Sequence, residues 1–177
     1  MFEIAIEQVI QNEGGYINHK ADPGGATKYG VSLRFMKSLG LYGDFNGDGK
    51  VNGEDVKIMS LRDAKDIYRR MWWDKHCYGD IKNLEIATKV LDMAVNIGSF
   101  NAHKILQQSL VDSGSDIKVD GLIGPRTIYA INHCEDQNTL ITNIMVNLSS
   151  YYIKLYRADK KNRIYFIKGW LKRALKK

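Results

Sequence analysis

The sequence predicts a mainly α fold with one small β element. Apolar residues recur at helical spacing through most of the 177 residues. Only two prolines, Pro23 and Pro125, are present to break helices. A stretch from 14 to 32, by contrast, is crowded with Gly, holds Asp22 and Pro23, and cannot sustain a helix.

The elements follow in order. Phe2, Ile6, Val9 and Ile10 fall at i, i+4, i+7 and i+8, which predicts an amphipathic helix. Gly14-Gly15 should end it at Glu13. Residues 14–32 read as loop or hairpin, with short extended pieces around Tyr16–Asn18 and Tyr29–Ser32. Residues 43–55 form a separate polar loop. Ser60 is placed to cap a helix carrying Leu61, Ala64, Ile67, Tyr68, Met71 and Trp72 on one stripe. That stripe assigns Trp72 to the core and leaves Trp73, about 100° away, off it. Helices are expected over 84–97 and 99–111, the second with Ile105, Leu106 and Leu110 inward. Asp120-Gly121 and Gly124-Pro125 mark turns. Pro125 suits the first position of a short helix to about His133. A long helix from Gln137 to about Tyr156 precedes a basic one ending in Trp170, Leu171 and Leu175.

Composition excludes several classes. Apolar residues make up 44%, enough for a sizeable core. No run of about 18 apolar residues occurs, so no transmembrane helix is expected. The N-terminus lacks the basic start, long apolar run and cleavage site of a signal peptide, which predicts synthesis in a bacterial cytoplasm. Cys77 and Cys134 are too far apart in sequence for a metal cluster and are expected as free, partly buried thiols. His19, His76, His103 and His133 show no zinc spacing and are expected as structural or surface residues.

The net charge of +6 is uneven. Lys154 to Lys177 holds ten Lys/Arg against one acid, Asp159, so the rest of the chain is net negative. Such a tail fits an anionic membrane or wall polymer as partner, or a merely solvated helix face. Its aromatics also suit single-stranded nucleic acid, but no nucleic-acid fold is legible and none is expected to bind.

Two segments carry chemistry. In the first, N-E-G-G-Y-I-N-H-K-A-D-P-G-G-A-T-K-Y-G-V-S, Glu13 closes a helix. There the helix dipole disfavours negative charge and raises a carboxyl pKa, as a general acid requires. Gly14 and Gly15 would let a sugar approach the backbone. Asp22 and Thr27 follow in the loop, and Tyr16, Lys28 and Tyr29 are candidate cleft residues.

The second segment runs from Asp44 to Asp55. Asp44, Asn46, Asp48, Asn52 and Asp55 put side-chain oxygens at positions 1, 3, 5, 9 and 12. Lys50 offers its carbonyl at position 7, and Gly49 gives the turn at 6. A structural calcium ion is expected here and no catalytic cofactor. The D-x-N-x-D-G-x-V-N-x-x-D form resembles a dockerin repeat; one copy alone does not predict cohesin binding.

The first segment resembles known hydrolases. Glu13, eight residues, Asp22, four residues, Thr27 is similar to the Glu–Asp/Cys–Thr pattern of phage-type lysozymes, one residue short before Thr27. E-G-G-Y and D-P-G-G-A-T-K-Y-G-V-S resemble glycoside hydrolase family 108, the N-acetylmuramidases of phage and prophage. Y-R-R-M-W-W-D-K-H-C-Y-G-D-I and V-L-D-M-A-V-N-I-G-S-F-N-A-H-K-I-L-Q-Q-S-L extend the similarity. D-G-L-I-G-P-R-T-I resembles that family's peptidoglycan-binding region.

The resemblance covers about residues 5–132 and implies a lysozyme-like α+β fold that cleaves the β-1,4 bond between N-acetylmuramic acid and N-acetylglucosamine. It implies Glu13 as the catalytic residue, with Asp22 and Thr27 assisting. Asn96 and Gly98, between two helices, are expected to meet an N-acetyl group. The expected organisation is a catalytic lobe over 1–83 and a helical, wall-binding lobe with the basic tail over 84–177, forming one compact, monomeric unit. A lytic transglycosylase, which shares the Glu, a non-catalytic wall-binding or secretion-assisting protein, and a calcium-dependent docking module remain open alternatives.

Overall fold

The structure, a computed structural model, describes residues 1–13 and 26–176. Its contacts divide into two units, Phe2–Lys75 and His76–Lys177. The architecture is mainly α with one two-stranded sheet.

In the first unit, α1 (Phe2–Glu13) buries Phe2, Ala5, Ile6 and Val9. Strands β1 (Thr27–Lys28) and β2 (Val31–Ser32) pair antiparallel, Thr27 opposite Ser32 and Lys28 opposite Val31. The expected extended piece at Tyr29 is instead the turn. Tyr29 and Gly30 have φ of 51° and 78°, the left-handed pair that a two-residue hairpin needs to match strand twist. Tyr68 Oη donates to the Tyr29 carbonyl at 3.0 Å and fixes this costly conformation. The piece expected at Tyr16–Asn18 lies outside the described residues.

Ser32 then caps α2 (Leu33–Ser38), accepting from the Phe35 N–H. Asn52 and Asp55 form a capping box at α3 (Gly53–Ile58), and Ser60 and Asp63 form another at α4 (Leu61–Tyr68). After α4 the chain widens into a π-helical segment, Arg69–Asp74. This overturns the assignment of the tryptophans. A π turn holds more residues than an α turn, so the apolar stripe shifts by one. Trp73 is buried edge-on against Phe2, with ring centroids 5.5 Å apart, whereas Trp72 is only half-buried against Phe35 and Tyr68.

The second unit is built on long helices: α5 (Leu84–Ile97), α6 (Ser99–Asp112), α7 (Pro125–Asn132), α8 (Gln137–Ala158) and α9 (Lys160–Leu175). Pro125 opens α7 as expected. Nine of the fourteen residues of α5 are buried, including Thr88, Lys89 and Asp92, so α5 is enclosed on nearly all sides. Lys89 and Asp92 are matched from α9 and its end. Lys89 Nζ donates to the Arg173, Ala174 and Lys176 carbonyls at 3.0, 2.7 and 2.6 Å, capping the end of α9. Burial pushes this ammonium down to about 8, against the pull of Asp92. Arg173 forks onto Asp92, with Nη2 2.8 Å from Oδ1 and Nε 3.0 Å from Oδ2.

Both cysteines are free, but Cys77 is exposed rather than partly buried. It sits at φ 53° in the loop after the π segment.

Candidate functional site

Glu13 is the last residue of α1, so its backbone occupies the helix C-terminus that favours a protonated carboxyl. Gly14, Gly15, Tyr16 and Asp22 lie outside the described residues, as does the side chain of Glu13. The neighbouring hairpin is described. Thr27 and Lys28 form β1, and Tyr29 holds the turn. Lys28 Nζ donates to the Lys57 carbonyl at 2.6 Å and lies 5.4 Å from the Tyr29 ring centre. The hairpin base closes where the Leu33 N–H donates to the Ala26 carbonyl at 2.8 Å. Short elements thus hold this hairpin by hydrogen bonds at base and turn.

A cavity of about 550 Å³ opens at the other end of α1, lined by Phe2, Glu3, Leu61, Lys65, Asp66 and Arg69. It is about 15 Å along the helix from Glu13 at 1.5 Å per residue. Its acids are neutralised: Glu3 accepts from Lys65 and Arg69 at 3.1 Å each, and the Lys65 hydrogen bond holds its carboxyl below the usual range. Glu3 and Asp66 are thus held toward the ionised form, and the cavity lies at the opposite end of α1 from the E-G-G-Y segment.

The 44–55 loop folds onto its own backbone. Asp44 accepts the Gly47, Asp48 and Gly49 N–H groups at 2.9, 3.2 and 2.8 Å. Asp55 is fully buried and accepts from Phe45, Asn46 and Asn52 at 2.9, 3.3 and 2.8 Å. Burial would raise its pKa, but these three donors outweigh it and hold the carboxyl low. Asn46 Oδ1 accepts the Asp48 N–H, Asp48 Oδ1 the Lys50 N–H, and Asn52 caps α3. Among the described residues no three His, Cys, Asp or Glu side chains are gathered to hold a metal ion.

Asn96 and Gly98 belong to the second unit. Asn96 lies in the last turn of α5, exposed, with its Oδ1 accepting from Tyr152 Oη at 2.7 Å. Gly98 is the single residue between α5 and α6, at φ 81° and ψ 145°, a conformation essentially confined to glycine. The turn therefore has a backbone reason for its glycine.

Sequence reasoning missed the buried network that shapes the D-G-L-I-G-P-R-T segment. His103 is 2% exposed. Its Nδ1–H donates to the Gly121 carbonyl at 3.0 Å, and its Nε2 accepts from Tyr78 Oη at 2.7 Å. That pairing assigns the neutral tautomer, and burial pushes the imidazole down to about 4. Gln107, also buried, donates to Asp120 Oδ1 and the Leu122 carbonyl, both at 2.9 Å, and accepts the Gly121 N–H at 2.7 Å. A Cβ on Gly121 (φ 79°) would sit 2.6 Å from the Phe100 ring. The available signal was the i, i+4 spacing of His103 and Gln107 on one face of α6, with Gln107 13 residues before Asp120.

Beside this segment a cavity of about 430 Å³ is lined by Cys77, Asp80, Lys82, Ile123, Tyr129 and His133. Tyr129 is 63% exposed and stacks on His133 with ring centres 3.8 Å apart. Asn132 ties the two sides of the cavity together, accepting from the Lys82 N–H and donating to the Asp80 carbonyl, each at 2.8 Å.

Comparison with known proteins gives these features a family. The family Glycosyl hydrolase 108 matches residues 6–98, and the family Predicted Peptidoglycan domain matches residues 101–175. Eleven solved chains match. One is described as the structure of Brucella abortus SagA; it is 28% identical, covers 98% of this chain and 93% of its own, and superposes with a TM-score of 0.68. No curated protein matches the chain. The first match spans over half of the chain and covers α1 from Ile6, the hairpin and α5, while the second runs from Asn101 within α6 to the end of α9. The chain therefore belongs to glycosyl hydrolase family 108, as a glycoside hydrolase of peptidoglycan.

Proposed function

We propose that the protein hydrolyses the β-1,4 bond between N-acetylmuramic acid and N-acetylglucosamine, with Glu13 as general acid. The observation that carries this reading is a glutamate at the C-terminal residue of α1, inside the family match and within E-G-G-Y. Cleaving a glycosidic bond requires a proton on the leaving oxygen, and the carboxyl must still hold that proton near neutral pH. The carbonyl end of a helix supplies that bias without a neighbouring acid.

In this reading Asp22 positions water or stabilises the positive charge at the anomeric carbon, and Thr27 orients Asp22. Gly14, Gly15, Tyr16, Lys28 and Tyr29 line the saccharide path, and Asn96 and Gly98 face an N-acetyl group. The Tyr129–His133 stack and its cavity suit glycan rings on the wall-binding side, because stacked exposed aromatics offer flat apolar faces beside polar groups. Calcium is proposed as a structural ion of the 44–55 loop, supported by the spacing of its oxygen ligands; it takes no part in the chemistry.

The test uses purified sacculi. Glu13→Gln should stay folded and release reducing sugar at a rate lower by roughly 10²–10⁴. Product masses decide the bond chemistry: hydrolysis adds water, whereas a transglycosylase leaves an anhydro sugar. Wild-type rates from Glu13→Gln would reject the assignment, and anhydro products would replace hydrolysis by elimination.

A further inference from the structure

The basic tail resolves into two chemically distinct sides once α9 is folded. Its inner side is occupied. Arg173 pairs with Asp92, Arg163 donates to the Leu155 carbonyl at 2.7 Å, and Trp170 stacks on Tyr152 at 5.4 Å. Ala174 is the one buried residue described in α9. The outer side is different. Lys161, Ile164, Tyr165, Lys168, Lys172 and Leu175 share one face at spacings of three, four and seven. Ile164, Tyr165 and Leu175 are 49%, 87% and 59% exposed. Lys161, Lys168 and Lys172 are exposed and enter no ion pair among the described residues. No acid lies within α9, and Asp159 just before it is used as the N-cap, accepting from Asn162.

We propose that this outward face of α9 docks on an anionic phospholipid surface. Two properties of the face must be satisfied together. Three unpaired lysines call for a polyanion. Three large apolar side chains interleaved with them call for an apolar phase within a few ångströms of that polyanion. A bilayer with anionic headgroups provides both at once, with the lysines at the phosphates and the apolar tips at the acyl boundary. A linear wall polymer or a nucleic acid would match the lysines and leave Ile164 and Leu175 in water. No described helix is long and apolar enough to cross a membrane, so the contact is interfacial, along a helix of about 24 Å at 1.5 Å per residue. The proposal is independent of which glycosidic bond is cleaved.

Vesicle co-sedimentation of the full chain tests it, with phosphatidylcholine alone against phosphatidylcholine containing a quarter phosphatidylglycerol. The anionic vesicles should bind roughly a hundredfold tighter, the contribution expected of three surface lysines. Raising the salt should weaken that binding. A variant with Lys161, Lys168 and Lys172 all changed to Gln should lose this preference. A second variant, with Ile164, Tyr165 and Leu175 changed to Gln, keeps the charge and should also lose most vesicle binding. The lysine variant changes only exposed charged groups and should melt like wild type; the apolar variant loses the partly covered Ile164 and Leu175 and is assayed below its own melting temperature, and both should digest lipid-free sacculi at the wild-type rate. Equal binding to both vesicle types would overturn the proposal. So would anionic binding that survives the apolar variant, because charge alone would then explain it and a wall polyanion would be the better partner.

Discussion

The two units are stabilised by different means. Phe2–Lys75 is a set of short elements joined by turns, and its polar side chains mostly bond to nearby backbone. Asp44, Asp55, Ser60 and Asp63 all serve donors within about one loop length. His76–Lys177 is made of long helices whose polar side chains reach across 14 to 87 residues, as in Gln107 to Gly121 and Lys89 to Lys176. Local bonding lets a loop present reactive groups at small ordering cost. Distant bonding makes one helix depend on another. The unit that carries Glu13 should therefore tolerate changes in its chemistry, and the helical unit should fail as a whole when one partner is removed.

The largest expected effect separates activity from stability. Glu13→Gln should cost about 3–5 kcal/mol in transition-state free energy while leaving the melting temperature within a degree or two, read by calorimetry. A fall in melting temperature equal to that of a core variant would show that the first unit is not built locally.

In the second unit Arg173→Leu should cost about 3–5 kcal/mol, since it strands the nearly buried Asp92. Adding Asp92→Asn should recover part of that loss in urea titrations. A loss below about 1 kcal/mol would place α9 outside the cooperative unit.

A smaller effect depends on pH. His103 has a folded value of about 4, below the 6.5 of a free imidazole. Between those values the unfolded chain binds the extra proton. Its contribution, about 2–3 kcal/mol, is complete above about pH 6.5 and is lost as pH falls toward 4. His103→Gln should flatten this slope in denaturant midpoints measured across pH 4–7, even though it lowers stability throughout. An unchanged slope would assign the pH response to other groups.

Calcium gives the smallest shift. If the 44–55 loop takes the ion, adding calcium at about ten times its Kd to chelated protein should stabilise by about 1.4 kcal/mol. Asp48→Ala should abolish that gain and leave the His103 slope intact. No shift in melting temperature would remove calcium from the account of this loop.

Much of the helical framework was legible from local rules. Ser60 and Pro125 mark helix starts because capping and a fixed φ act within one turn of chain. The Trp72/Trp73 reversal was not legible, since the pattern assumes 3.6 residues per turn and the chain widens at Arg69. Tyr29 read as a strand residue, yet it serves a turn whose conformation Tyr68 fixes from 39 residues away. For the candidate site, the E-G-G-Y motif was readable as a family resemblance because it is carried by residue type and spacing alone, and the family match covers it. The roles of His103 and Gln107 were not, because their partners are backbone groups with no side-chain signature.

The sequence by itself determined the helix starts, the charge asymmetry, the glutamate at the end of the first helix and the family that motif belongs to. These depend on residue type and spacing along the chain. Tertiary structure alone decided which tryptophan enters the core, which buried polar groups find partners, and which cations of the tail remain free. Those outcomes depend on what lies across from a side chain, and burial makes the missing or present partner worth kilocalories per mole.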